Sequence, residues 1–141
     1  MLRSSGLLLL LMILFFACKP KQGDELSEFL NSKPETVLTL DNGKKWKANS
    51  ATSIGIKNMI AITGSFKGTD TSDYHYLGLV LFDEYVKIFE QCNMMGEAHA
   101  QLHSYLFPLY DKIDSLRTCS DCQKYYDDLV PYLGKFGEYF E

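Results

Sequence analysis

Two of the chain's three histidines lie four residues apart in the stretch CNMMGEAHAQLH, Cys92 to His103, which also holds a cysteine and two of the five methionines. On a helix, residues at i and i+4 sit one above the other on one face, so His99 and His103 are placed to converge on a single metal ion. Cys92 and Met95, from the preceding bend, would complete the shell, with Met94 or Met59 as substitute ligands. Thioether sulfur beside thiolate and imidazole suits soft copper(I) first and zinc second. A histidine in a first helical turn also faces the positive end of the helix dipole, which disfavours imidazolium and leaves the neutral ring that a metal requires. Haem is disfavoured. Met59 and His103 come from different helices and could clamp an iron, but His99 and His103 cannot take opposite axial positions, and no Cys-x-x-Cys-His attachment motif is present. The competing reading is that the same residues continue a seam of Leu, Ile and Tyr and act only in packing.

A second cluster is Cys119-Ser120-Asp121-Cys122. At the start of a helix, thiolates in this spacing are stabilised by the dipole, as in redox-active dithiols. The alternating strands and helices that usually accompany a thioredoxin-like motif are absent, so a structural disulfide closing the helix start is preferred over a thiol redox pair. His75 belongs to the same end of the chain's helices as this pair, which makes a second, weaker candidate metal site. No bond between Cys92 and Cys119 is expected unless Pro108 folds the third helix back: a straight helix separates them by about 30 Å, whereas a disulfide needs Cα atoms within about 7 Å.

Enzymatic motifs are missing. There is no His-Glu-x-x-His, no Glu-x-x-His pair, no phosphate-cradling glycine loop and no nucleophile elbow, so a non-enzymatic role is expected.

The elements that must position these residues are helical. Apolar periodicity predicts a first helix from about Ser50 to Phe66, with Ile54, Ile62 and Phe66 inward, and a second from about Asp73 to Cys92, striped by Leu77, Leu81, Tyr85, Ile88 and Cys92. A third runs from about Glu97 to Leu116 with His99, His103, Leu106, Tyr110 and Ile113 on one face. The fourth starts near Ser120, with Tyr126, Leu129, Leu133, Phe136 and Phe140 on its inner side. Pro108 and Pro131 should kink or break their helices. Gly96 is the natural break between the second and third helices, because a single helix from Asp73 to Leu116 would be about 65 Å long. Short links force an all-α, antiparallel, up-down-up-down four-helix bundle. An extended arm, residues 36–48, precedes it; Asn42-Gly43 favours a tight hairpin turn, and Leu38, Leu40 and Trp46 are expected to lie against the bundle.

The N-terminus carries an address. Arg3 precedes LLLLLMILFF, Leu7 to Phe16, about half a membrane span, and then Ala17 and Cys18. The residues LFFACK, 14–19, resemble the lipobox of bacterial lipoproteins. That resemblance implies a signal peptide over residues 1–17, lipidation of Cys18, and a tether over residues 18–35 leading to the bundle domain at 36–141. It implies an extracytoplasmic, lipid-anchored protein of the bacterial envelope, whose membrane contact is the anchor alone and where disulfides are allowed. A brief helical turn near Glu25 to Leu30 is expected within the tether. Loss of residues 1–17 removes Arg3, leaving 13 basic against 18 acidic residues. That balance argues against nucleic acid as a partner. Two functions follow from the residues: a soft-metal binder, or a structural or protein-interaction lipoprotein without metal, with thiol redox chemistry at Cys119 and Cys122 as a further alternative.

Overall fold

The computed structural model describes Ser27, Phe29, Asn31 and residues 37–141. The expected signal peptide, Cys18 and most of the expected tether lie outside the described residues. The described chain is an all-helical bundle: α1 Ser50–Ser65, α2 Thr71–Gln91, α3 Gly96–Thr118, α4 Cys122–Gly134 and a single turn, α5, Phe136–Tyr139. Each long helix packs on its neighbours in sequence, and α4 returns against α1 to close the ring. Loops of five, four and three residues allow only antiparallel neighbours. Among the described residues, no helix is long and apolar enough to cross a membrane.

The starts of α1 and α2 are written in polar side chains. Asn49 caps α1 by accepting from the Thr52 amide at 3.0 Å, and its own amide donates to the Gln91 carbonyl and to Asn93 Oδ1, which fastens the start of α1 to the end of α2. Asp70 and Asp73 form a reciprocal capping box at the start of α2. The break between α2 and α3 falls at residues 92–95, and Gly96 takes the left-handed φ of +66° that lets the chain turn into α3.

The core is continuous along the bundle: Ile56 and Met59 of α1, Leu77, Leu81, Tyr85 and Ile88 of α2, and Leu129 and Leu133 of α4 are buried. Against them α3 presents Leu102, Tyr105, Leu106, Leu109, Ile113 and Leu116. This face is rotated from the expected one, since His99, His103 and Tyr110 lie half-buried at its edge. Centring the seam on the two imidazoles would have buried polar rings where Leu102, Tyr105 and Leu109 bury apolar surface instead. Ile54, expected inward, is 57% exposed; Gly55 and Ile56 take the inner positions, and a Cβ on Gly55 would come within 2.6 Å of Ile88, so the glycine permits α1 to approach α2.

Neither proline breaks its helix. Pro108 cannot donate to the preceding turn of α3. Tyrosine hydroxyls supply donors there: Tyr132 to the Tyr105 carbonyl at 3.0 Å and Tyr85 to the Leu106 carbonyl at 3.1 Å. Tyr105 answers from α3 by donating to the Leu133 carbonyl at 3.2 Å, in the turn that holds Pro131, and its ring stacks on Tyr132. Burial pushes the Tyr132 hydroxyl up to about 12 and raises those of Tyr85 and Tyr105 further, so all three remain protonated donors. The fourth helix ends earlier than expected, at Gly134, and Phe136 and Phe140 reach the core from the short turn that follows.

The arm folds as its turn residues require. Asn42 and Gly43 have φ of +50° and +86°, and Asp41 and Lys44 exchange backbone hydrogen bonds of 2.9 and 2.8 Å across them. Beyond the turn, Trp46 bridges to Phe140, and the Trp46 and Ala48 amides donate to the Tyr139 and Glu141 carbonyls. Leu38 and Trp46 pack on the core, while Leu40 is 40% exposed.

Candidate metal and thiol centre

Three elements meet at one end of the bundle. His75 lies in the opening turns of α2, Cys119 is the C-cap of α3, and Cys122 is the first residue of α4. A ring nitrogen of His75 and the sulfurs of Cys119 and Cys122 all lie within 4.8 Å of one another. Among the described residues this is the one group of three or more His, Cys, Asp or Glu side chains close enough to share a metal ion. The antiparallel arrangement produces it, because the start of α2, the end of α3 and the start of α4 must fall together.

Cys119 and Cys122 are joined by a disulfide, and both are buried, at 7% and 5% exposure. His75 is half-buried beside them, and its Nε2 lies 2.9 Å from the Cys119 carbonyl oxygen. A carbonyl only accepts, so Nε2 carries the proton in this contact and, in a neutral ring, Nδ1 holds the lone pair. Carbonyl oxygens also lie within reach of both sulfurs: that of Leu116 is 3.1 Å from Cys119 Sγ, and that of Cys119 is 3.4 Å from Cys122 Sγ. Once the disulfide is reduced, each thiol therefore has a polar partner in place.

The Cys92–His103 stretch is arranged differently. His99 and His103 do share a face of α3, with ring centroids 4.3 Å apart and rings at 70°. Cys92, unpaired and half-buried at the C-cap of α2, does not join them in a group of metal-ligand spacing. Met95 is 84% exposed as the N-cap residue of α3, so its thioether points to solvent rather than over the histidines. Met94 packs against the edge of the core, and Met59 is fully buried within it. Of the expected sulfur ligands, the Cys92 thiol is therefore not grouped with the two imidazoles.

What His103 meets instead is aromatic. Phe29, from the short helical stretch before the arm, is 5% exposed and wedges between Phe89 of α2 and His103 and Phe107 of α3, with centroid distances of 4.5, 4.7 and 3.9 Å. Burial, and secondarily the neighbouring His99, hold the His103 pKa down to about 4. The ring is neutral at physiological pH because apolar surroundings penalise its charge.

The sequence places His75 with Cys119 and Cys122 as the weaker of two candidate sites, because a histidine at one helix start and a Cys-x-x-Cys at another fall at the same end of an antiparallel bundle, and the structure brings the three together. Comparison with protein-family models, with curated proteins and with solved structures finds no match to this chain.

Proposed function

We propose that this is a lipid-anchored, extracytoplasmic bundle protein, non-catalytic, whose working centre is a redox-dependent soft-metal site formed by His75, Cys119 and Cys122. The observation that carries the reading is the convergence of one imidazole and two sulfurs within 4.8 Å from three separate helices. In the disulfide state both sulfurs are occupied by each other and the site is closed. Two-electron, two-proton reduction by a dithiol donor cleaves the sulfur–sulfur bond and yields two thiols, which lose their protons on binding metal. Two thiolates and one imidazole favour copper(I), which accepts three soft donors, ahead of zinc, which would keep a fourth position for water. The lipid anchor and envelope location rest on the lipobox-like residues at 14–19 and on the presence of a cysteine pair suited to an oxidising compartment.

The test is a titration of the purified chain with copper(I) and with zinc, before and after reduction. Stoichiometric uptake only after reduction, lost in His75→Ala and in the Cys119→Ser, Cys122→Ser double variant, is the expected result. Equal uptake by oxidised and reduced protein, or none by either, would remove the reading.

A second reading has its own support. The disulfide is formed and both cysteines are more than nine-tenths buried, as in a purely structural clasp between α3 and α4. In that case reduction lowers thermal stability and no metal is taken up.

A further inference from the structure

A groove of about 270 Å³ lies between α1 and the junction of α4 with α5, and none of His75, Cys119 and Cys122 lines it. One wall is Ile56 and Ile60, one turn apart on α1; the other is Phe136 and Phe140, whose rings stack at 4.9 Å. Two lining positions, 134 and 137, are glycine, and a Cβ built on either meets no atom within 4 Å, so close packing does not require glycine at them. Neither glycine has a positive φ, so backbone conformation does not require it. Ile60, on the open side, is 44% exposed.

The rim is basic. Lys57 lines the groove and makes no ion pair among the described residues. The acidic side chain at the rim, Glu141, is already engaged by Lys47 at 2.5 Å, and Lys45 adds positive charge beside it. Of Lys57 and Lys47, Lys57 is the one without a counter-ion among the described residues.

We propose that the groove binds a free medium-chain fatty carboxylate, its alkyl chain between the isoleucines and the stacked phenylalanines and its head group at Lys57. Apolar walls with one convergent cation are the usual make-up of a small-ligand site, and a volume just under the ~300 Å³ lower end of such sites suits one alkyl chain better than a two-chain lipid. What sets this place apart is that an unpaired ammonium, Lys57, stands beside apolar walls, which gives a monoanion with an alkyl chain a contact for each part.

The probes are hexanoate, octanoate and decanoate, with 1-octanol as the uncharged control, titrated into the full chain by calorimetry. Saturable one-to-one binding is expected, tightening about fourfold per added methylene as each leaves water. Lys57→Gln should weaken the carboxylates several-fold and leave 1-octanol unchanged. Gly137→Leu, placing a side chain in the open groove, should abolish binding of all four, and Gly134→Leu is an independent obstruction from α4 if the first variant loses helical content by circular dichroism. Absence of saturable binding, or binding indifferent to both glycine variants, overturns the proposal. Self-association blocked by Gly137→Leu without carboxylate binding assigns the groove to a second copy of the chain and overturns it equally. Adsorption to anionic vesicles with no binding of the free acids assigns it to a membrane surface, with the same consequence.

Discussion

The two ends of α3 carry the same residue types and have opposite architectures. At its start, His99, His103, Cys92 and two methionines crowd twelve residues of sequence, yet the thioether of Met95 stands in solvent and an aromatic side chain, Phe29, occupies the space beside His103. At its end, Cys119 meets Cys122 and a histidine forty-four positions away, and the donor atoms come within 4.8 Å. Closeness along the chain produced neighbours on one helix face. Closeness in space needed three helices arriving from different directions, which is what a coordination sphere requires.

The sharpest way to break this contrast is to exchange the ends in a binding assay. In reduced protein, the Cys119→Ser, Cys122→Ser variant should lose at least about 100-fold in copper(I) affinity, since even residues that merely orient metal ligands are worth 10- to 100-fold. His99→Ala with His103→Ala should change that affinity less than twofold. Competition titration with a chelator of known affinity reads both, and the reverse pattern would return the site to the start of α3.

Stability separates the ends next. Opening the four-residue loop closed by the disulfide should cost about 2 kcal/mol from chain entropy, measured by urea denaturation of the oxidised protein against the double serine variant.

The histidine end should respond to acid. The folded pKa of His103, about 4, lies below its ordinary value, so the unfolded chain binds more protons between those two values. Its contribution to stability is therefore complete above about pH 6.5 and is lost as pH falls to about 4. For a ring roughly half open to solvent the effect should be on the order of 1–2 kcal/mol. His103→Gln should flatten that part of the stability profile. Phe29→Ala should raise the His103 pKa toward its ordinary value, as followed by the imidazole proton resonances in NMR.

The smallest expected effect tests the frame that holds both ends. Tyr132→Phe removes the donor to the Tyr105 carbonyl beside Pro108 and should cost about 1 kcal/mol, without altering metal uptake.

The helices were legible because their signals are local. The stripe Leu77, Leu81, Tyr85 and Ile88 needs only a period of 3.6, and Gly96 needs only its left-handed turn. Rotation of a helix about its axis is not local. His99 and Leu102 are three residues apart and either could have faced inward; the choice was made by what α2 and α4 offered in return. Phe29 shows the same limit from another side, since nothing near it in sequence announces that it fills the place beside His103. The Cys-x-x-Cys spacing kept a disulfide in view beside a redox pair, and His75 could be set at the same end only through the antiparallel closure expected of the whole bundle.

The wedge of Phe29 also sets how the molecule stands. Eleven residues run from Cys18 to Phe29, a leash no longer than about 40 Å at full stretch. Were Cys18 held in a bilayer as proposed, that length would be the whole slack between the anchor and the seam of α2 and α3, where Phe29 grips Phe89 and Phe107, and any pull on the chain would be felt first at that seam.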